Sequence, residues 1–308
     1  MTFRCPAVTA LMLAALAALA AAPARAAPSG FAFLEVPAGA RASGVGGAFV
    51  AMGEGVEAAF WNPAGLAAVE RIEITGSHYE FFQHLRHDQF AVAGRWLGGG
   101  LAGSVRALYS EAIEARDELG NVTGTFGGDD LEFGLAYGRV LAAGVRAGVS
   151  AQRVRERLAD LSTGTYAFGA GASWEPAGLP ALRLGLALDH LGPDANYTFE
   201  DGPGQPLRLP AALQAGASYR RGLGGAMSLG AGLETRLTRG RPMVAAIGGE
   251  LTHPTGAALR LGVRINDDTS SFSMGAGYAL ATLRLDYAFV PYRLDLGDTQ
   301  RVSFTARF

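Results

Sequence analysis

Few residues in this 308-residue sequence have the types and spacing that metal or catalytic chemistry requires. His84 and His87 have two residues between them and would share one face of a helix, but a structural metal needs more ligands than these two supply. The pairs Asp129-Asp130 and Asp267-Asp268 could meet divalent ions, although exposed turn carboxylates are the simpler interpretation. We therefore predict no metal site and no cofactor.

The sequence also lacks the usual signatures of an enzyme. No Gly-x-Ser-x-Gly elbow occurs, and no His or Cys is placed as the partner of a nucleophile. The glycine-rich run 44–47 resembles a phosphate-binding loop superficially. No strand precedes it, however, and no acidic residue stands about 20 residues later to hold a ribose. We predict that the protein is not an enzyme.

Residues 1–26 have the pattern of a secretory signal peptide. Arg4 supplies a positive charge, residues 7–22 are almost wholly apolar, and Ala24-Arg25-Ala26 is a small-x-small cleavage site. An uncleaved membrane helix is the alternative, and it is disfavoured because no charge follows immediately to stop transfer. The single cysteine, Cys5, precedes the apolar run, so the remaining chain would contain no disulfide.

The charge balance argues against nucleic acid as a partner. The chain has 26 arginines, no lysine and 28 acidic residues. Loss of Arg4 and Arg25 would leave a net charge of about −4, without the basic patch that a nucleic-acid binder needs. No further apolar run reaches the roughly 20 residues of a membrane helix. A membrane protein of this sequence would have to cross the bilayer with strands.

Apolar and polar residues alternate repeatedly after residue 70. Residues 182–189 carry four leucines on one face and Arg, Gly, Ala and Asp on the other, and residues 259–266 repeat this pattern. Such alternation is typical of strands with one apolar face. In a soluble barrel that face would turn inward, whereas in an outer-membrane barrel it meets lipid and the lumen is polar. The secretory amino terminus favours the membrane barrel, with Leu184 and Leu186 towards lipid and Ala187 towards the lumen.

We predict a 14-stranded antiparallel barrel. Its strands alternate between short joins and long ones, the pattern of periplasmic turns and outer loops. The longest predicted loops are 111–128, 156–163, 192–209 and 291–299. The last strand ends on Phe308, which we interpret as an assembly signal. The predicted strands are 70–80, 88–97, 100–110, 130–139, 143–154, 164–174, 182–191, 210–220, 226–237, 243–252, 257–265, 271–280, 282–290 and 300–308.

Two stretches near the amino terminus carry a specific resemblance. The segment GARASGVGGAFVAM at 39–52, followed by AFWNPAGLA at 59–67, resembles the amino-terminal hatch of the FadL superfamily, and within it the PorV/PorQ branch. The carboxyl-terminal residues 285–304 are similar to the last hairpin of that branch. The resemblance implies a hatch at 27–68 in the lumen, a barrel at 69–308, and a location in the bacterial outer membrane.

The hatch turn is the motif Asn62-Pro63-Ala64-Gly65. Pro63 fixes φ, Asn62 can bond neighbouring backbone, and Gly65 admits a conformation that a side chain would obstruct. Phe60 and Trp61 are expected to anchor the turn against the barrel wall. The alternative is that the motif only shapes the entry to the first strand and binds nothing.

Two further groups of candidate residues follow from the predicted architecture. A hydrophobic ligand near the hatch would be lined by Phe31, Phe33, Phe49, Met52, Phe60 and Trp61. The lumenal charges could form a substrate track, although pairing with one another and with the hatch is the simpler expectation. These charges are Glu132, Arg146, Arg183, Asp189, Glu234, Arg264, Arg284 and Asp286.

Three functions remain open at the level of sequence. The first is a PorV/PorQ-type protein that acts in transport or protein secretion, with secretion-system proteins as partners. The second is a FadL-like passive channel for small hydrophobic molecules. The third is a structural barrel without a transport role. All three imply contact with outer-membrane lipid, lipopolysaccharide and the barrel-assembly machinery.

Overall fold

A computed structural model describes residues 30–81, 85–293 and 297–308. Fourteen strands form one closed barrel, in which every neighbouring pair is antiparallel, so the predicted fold class is confirmed. The closure is made by β1 and β18, whose registers pair Glu73 with Arg307 and Glu80 with Gln300. Closure leaves no free strand edge, which is the requirement for strands in hydrocarbon. Among the described residues, no helix has the length and hydropathy to cross a membrane.

The wall is built from long strands, and four short strands lie outside it. The wall strands are β1 (Glu73–Glu80), β2 (Arg86–Trp96), β3 (Gly99–Tyr109), β6 (Gly128–Ala142), β7 (Val145–Leu158), β8 (Leu161–Trp174), β9 (Leu182–Leu191), β12 (Ala212–Leu223), β13 (Met227–Thr238), β14 (Val244–Thr252), β15 (Ala257–Ile265), β16 (Phe272–Ala279), β17 (Leu283–Pro291) and β18 (Asp298–Arg307). The short strands are β4 (Ile113–Arg116), β5 (Val122–Phe126), β10 (Thr198–Phe199) and β11 (Gly202–Pro203).

The two ends of the barrel differ in their connections. We call the end with joins such as 97–98, 143–144 and 224–226 the turn end, and the opposite end the loop end. Two loop-end connections contain small hairpins, β4–β5 and β10–β11, which the alternation pattern did not predict. The predicted loop at 156–163 is wrong: β7 and β8 continue and are joined by Ala159 and Asp160 alone, with Leu158 paired to Leu161.

The outer face of the wall is apolar. Large side chains such as Leu135, Val149, Leu261 and Val302 are exposed there, on alternate positions of their strands. Aromatic residues mark the turn end of this face, where Trp96 packs edge-on against Tyr137 and Trp174 is also exposed. An apolar band bordered by aromatic residues is typical of barrels that cross a membrane.

The inner face packs against the amino-terminal segment 30–69, which we call the plug. Ala187 is fully buried against Val50 and Ala51 of the plug, while its neighbours Leu184 and Leu186 alternate to the outer face. The plug contains little regular structure. It has one α-helix (Ala40–Gly44) and three 3₁₀ helices (Ala32–Glu35, Gly55–Phe60 and Pro63–Ala68).

The substitution Leu186→Arg tests which face meets lipid. A charged side chain at mid-wall should cost about 2–4 kcal/mol of folding free energy in a bilayer. Leu119→Arg is the matched control, because Leu119 lies at the tip of the β4–β5 hairpin and is 87% exposed. Equilibrium unfolding in lipid vesicles measures both. An equal effect of the two variants would show that the outer face is not in contact with lipid.

Candidate functional site

The plug contacts the wall at a belt of inward-facing glycines. One glycine of this belt lies on each of ten strands that are consecutive around the barrel, from β3 to β16. Several are direct register partners, including Gly138 with Gly148 and Gly248 with Gly262. The belt consists of Gly100, Gly138, Gly148, Gly171, Gly185, Gly216, Gly232, Gly248, Gly262 and Gly275.

These glycines let the plug backbone approach the wall more closely than any side chain would allow. A Cβ built on Gly185 would lie 2.6 Å from the carbonyl oxygen of Val50, and one on Gly232 would lie 2.7 Å from that of Ala48. Real Cβ atoms do not come so close to backbone atoms. The belt therefore specifies the path of residues 44–50 and 62–66 around the inner wall.

The motif Asn62-Pro63-Ala64-Gly65 lies on this belt. Asn62 is the N-cap of the helix Pro63–Ala68, and its Oδ1 accepts a hydrogen bond from the Ala64 N–H at 3.1 Å. Its Nδ2 donates to the carbonyls of Val50, at 3.0 Å, and of Ala172 on β8, at 3.1 Å. One side chain thus joins two parts of the plug to the wall.

The two aromatic neighbours of the motif have different surroundings. Trp61 packs within the plug: its ring meets Phe49 edge-on with centroids 5.6 Å apart, and its Nε1 donates to the Ala38 carbonyl at 2.9 Å. Phe60 faces the wall, where the guanidinium of Arg106 lies 5.4 Å from its ring centroid. Phe60 thus contacts the wall through a cation–π interaction, whereas Trp61 is held by residues of the plug.

A closed ring of alternating charges ties the plug to three wall strands. Two members belong to the plug and the others to β14, β15 and β17, and the order around the ring is Arg41, Glu250, Arg260, Asp286, Arg284, Glu57 and back to Arg41. Arg41 donates to both oxygens of Glu250 at 2.9 Å. Three cations meet three anions, so the ring is neutral and each buried charge has two partners.

The protonation of the plug members follows from this arrangement. Burial acts to raise the pKa of Glu57, but Arg284 and Arg41 outweigh burial and hold it below its usual range. Burial acts to lower the pKa of Arg41, but Glu250 and Glu57 outweigh it and the pKa is raised above its ordinary value. Both groups are charged at neutral pH.

A second cluster joins the plug to the wall near the turn end. Glu54 of the plug pairs with Arg146 at 2.7 Å and with Arg183 at 2.6 Å, and both arginines also reach Glu175. Burial acts to raise the pKa of Glu54, but the two arginines lower it overall. Arg146 and Arg183 are thus engaged in ion pairs rather than open to the lumen.

The other lumenal charges predicted from sequence are also bonded. Glu132 pairs with Arg106 at 3.2 Å, and Asp189 accepts from Gln214. Glu234 accepts from the N–H groups of Phe49 and Val50, each at 2.8 Å. Arg264 donates to the Gly46 carbonyl at 2.9 Å. The structure therefore brings six of the eight predicted charges into contact with the plug or with one another, while Glu132 and Asp189 bond to the wall residues Arg106 and Gln214.

The six predicted ligand-lining residues do not meet at one cavity. Phe31 and Phe33 pack with Val154 on β7 and with Leu209, which lies in the loop-end connection before β12. Phe49, Met52 and Trp61 share a cluster inside the plug, with Phe60 packed against it. Of the six, Trp61 lines a cavity of about 340 Å³ near the loop end, and Met52 lines a smaller cavity near the turn end.

Two cavities lie over the same strands, on opposite sides of the belt. The loop-end cavity has a volume of about 340 Å³. It is lined by plug residues and by the parts of β13–β15 that run from Glu234, Ala246 and Arg264 towards the loop end. The turn-end cavity, of about 240 Å³, is lined by the other halves of these strands. Between the two cavities, residues 44–48 of the plug contact Gly232, Gly248 and Gly262. A single layer of plug backbone therefore separates the cavities.

Sequence reasoning missed Arg41, Glu54, Glu57, Glu250 and Arg260. Arg41 did carry a signal, since it is the only charged residue between Glu35 and Glu54. A lone charge among small residues is expected to have a buried partner. The identity of that partner, 209 residues away, is set by the closed barrel alone.

The remaining predictions concern the signal peptide, the histidine pair, a metal site and the last residue. The signal peptide and His84 lie outside the described residues, while His87 is buried on β2 beside Tyr79. In the described part of the chain, no group of three His, Cys, Asp or Glu side chains is arranged to hold a metal. Phe308 follows β18 and is 67% exposed, and its N–H donates to the Ile72 carbonyl; its role in assembly stays a prediction.

Fold and site together define a 14-stranded barrel that holds its own amino-terminal segment in the lumen, and several solved structures are similar to this chain. CymD, a monoaromatic hydrocarbon channel, has a TM-score of 0.61 at 13% identity over 88% of this chain and 97% of that one. The toluene transporter TodX of Pseudomonas putida has 0.55 at 12% identity, over 83% and 93%. A Pseudomonas aeruginosa FadL homologue has 0.50 at 13% identity, over 87% and 97%. At these identities the likeness shows a shared fold.

Comparison of sequences adds one finding. Residues 9–154 match the model of an uncharacterised protein family, UPF0164. That match covers less than half of the chain. No curated protein matches.

The substitution Arg41→Met tests the charge ring. It replaces the guanidinium group with an apolar side chain of similar length. Glu57 and Glu250 then each have one ion-pair partner fewer. Breaking a buried pair in this way should cost about 3–5 kcal/mol. Arg116→Met is the control, because Arg116 pairs with Glu114 on an exposed hairpin, where an ion pair contributes about 1 kcal/mol or less. Thermal unfolding of both variants, with proteolysis of the plug, provides the measurement.

Neighbouring glycines on β14 test the belt. Gly248→Ala would place a Cβ 2.7 Å from the Cβ of Val45, whereas Gly249→Ala would meet nothing closer than 3.9 Å. Overpacking of this kind costs about 1–3 kcal/mol. We expect Gly248→Ala to loosen the plug, seen as faster protease cleavage within 30–69, and Gly249→Ala to behave like the wild type. Equal cleavage rates in the two variants would rule out the belt as the contact that fixes the plug.

Proposed function

We propose that this protein is an outer-membrane channel of the FadL type, in which the plug is a closed gate for small, largely apolar molecules. The loop end faces the outside and the turn end faces the periplasm, in keeping with long outer loops and short periplasmic turns. The apolar outer wall supports the membrane location.

The pair of cavities carries this proposal. They lie along β13–β15 on opposite sides of the glycine belt, and residues 44–48 separate them. A volume of about 340 Å³ lies within the range of small-molecule sites. The lining of the loop-end cavity includes Val36, Pro37, Trp61 and Ala246, which suit an apolar body, beside charged residues such as Arg236.

The comparisons indicate which class of cargo to test first. CymD is a monoaromatic hydrocarbon channel and TodX is a toluene transporter, and both have this fold. We therefore propose a molecule about the size of one aromatic ring, for which the loop-end cavity has room. Passage requires residues 44–48 to leave the glycine belt, because the two cavities do not otherwise connect.

Filling the loop-end cavity should block transport. Ala246 is buried and lines this cavity, so Ala246→Phe should occupy it, while Ala245→Phe places the same ring on the outer face of the same strand. We expect toluene uptake into vesicles containing Ala246→Phe to fall at least tenfold, and that of Ala245→Phe to stay within twofold of the wild type. Labelled toluene and rapid filtration give the rates.

Binding can be followed separately at Trp61. The chain has three tryptophans, and Trp96 and Trp174 face outward, so replacing both with Phe leaves Trp61 as a reporter in the cavity. Saturable quenching by nitrobenzene that is lost in Ala246→Phe would support the proposal. Quenching that rises linearly in both proteins would indicate partition into lipid and would overturn it.

A PorV/PorQ-type role in protein secretion is the second candidate, and the fixation of the plug favours it. A barrel whose plug is held on ten strands and by a closed charge ring is a rigid object, as a docking partner should be. The candidates differ in what the purified wild type carries. Bound aromatic molecules support the channel, whereas stoichiometric envelope proteins, with no uptake of toluene, support secretion.

A further inference from the structure

Three arginines form a row on the outer face of β7 near the loop end. The sequence Arg153-Val154-Arg155-Glu156-Arg157 alternates, so the arginines point outward and the other two residues point into the barrel. Val154 is fully buried, and Glu156 accepts hydrogen bonds from the Phe31 N–H and the Tyr197 hydroxyl, each at 2.8 Å. The inward contacts fix the strand and hence the direction of the three guanidinium groups.

The row carries more positive charge than its neighbours neutralise. Arg155 and Arg157 share one carboxylate, that of Asp129 on β6, while Arg153 lies over the ring of Tyr166 at 4.8 Å. The carboxylate is 17% exposed, whereas the two arginine side chains are 47% and 51% exposed. Three cations with one paired anion leave an excess of two positive charges. Asp160, in the turn beyond Arg157, makes no ion pair with them among the described contacts.

The shared carboxylate also orients the guanidinium groups. Each guanidinium has five donors in a planar fork, and the edge that faces Asp129 uses only part of them. The remaining donors of Arg155 and Arg157 are available on the exposed side. Planar forks of this kind match the oxygens of a phosphate group.

The height of the row places it at the boundary of the membrane. Tyr166, the register partner of Arg153, lies eight residues above the turn-end residue Trp174 on β8. Eight residues span about 26 Å along a strand, or about 20 Å along the axis of a barrel with strands tilted by 35–45°. The apolar band of such barrels is about 25 Å tall. With Trp174 at the lower edge, Arg153 lies about 5 Å below the upper edge, Arg155 lies close to that edge, and Arg157 lies about 5 Å beyond it at headgroup level.

We propose that this row binds a phosphate group on the headgroup of an outer-leaflet lipid. Beside Arg153 on β6 the exposed ring of Phe133, and below it on β8 the exposed ring of Phe168, provide an apolar surface for acyl chains. A lipid that carries both phosphate and acyl chains complements the row and this surface together, which a free anion does not. The inference rests on the outer-membrane location proposed above and adds a ligand and a site to it.

The test compares the row with outward arginines at the other end of the barrel. The triple variant R153Q/R155Q/R157Q removes the charge of the row, and R139Q/R221Q removes two arginines that the alternation of β6 and β12 places outward near the turn end. Native mass spectrometry measures the binding of bisphosphorylated and dephosphorylated lipid A to each protein. We expect the wild type and R139Q/R221Q to bind the bisphosphorylated form at least tenfold more tightly, and the triple variant to lose this preference.

A charge-increasing variant keeps the proposal testable if the triple variant folds poorly. D129N removes the negative charge but keeps a side-chain oxygen that can accept from the arginines, so phosphorylated lipid A should bind more tightly, and unchanged or weaker binding would count against the proposal. Equal affinity for the two lipids, or displacement by millimolar inorganic phosphate, would overturn the proposal. Heat-modifiable migration of the wild type in vesicles is checked first, so a protein that inserts but shows no phosphate preference refutes this site and leaves the channel proposal standing.

Discussion

The close approach between the plug backbone and the inner wall is the constraint on which the rest of the structure depends. A barrel of this circumference has little room for a second layer of side chains, and the belt glycines remove the first layer where the plug must pass. Glycine in a strand normally weakens it, because it has no side chain to pack. Here the plug fills the space that the missing side chains leave. The inner face of the wall and the plug therefore each depend on the other for packing.

The plug is held by different forces on different sides of the barrel. Ten strands meet it at glycines, and some of these also bond to it through side chains such as Glu250, whereas β17, β18, β1 and β2 contribute no belt glycine and bond to it through side chains. On that side Arg301 donates to Ser43 at 2.8 Å, Glu73 accepts from the Val56 N–H at 2.8 Å, and Gln89 accepts from the Gly39 N–H at 3.0 Å. Polar bonds can be exchanged for bonds to water as a segment moves, whereas close packing is lost without replacement. Movement of the plug should therefore begin beside β17–β2.

The strands were predictable from sequence because the two faces of each strand meet different surroundings. The alternation in residues 182–189 reports lipid on one side and the lumen on the other, and it places each wall strand within a few residues. The turn at Ala159 and Asp160 was missed because β7 and β8 continue past the membrane on pairing alone, where the polar residues at 155–157 resemble a loop. The contacts of Arg41 with Glu250 and of Asn62 with Ala172 could not be predicted, since they depend on which strands the closed wall brings opposite the plug.

The charge ring explains how a lumen rich in ionised groups can still suit an apolar cargo. Buried ion pairs contribute little net stability, because desolvation offsets their attraction, but they strongly disfavour any arrangement that leaves one charge alone. With three cations and three anions, the ring is neutral and has no net charge to attract ions of one sign. A gate that moved Arg41 away from Glu250 would have to offer both groups new partners, and Arg220 lines the turn-end cavity together with Glu250 and is available as a cation for it. Exchange of partners along the wall, rather than loss of pairs, is therefore the motion that the proposed channel permits at lowest cost.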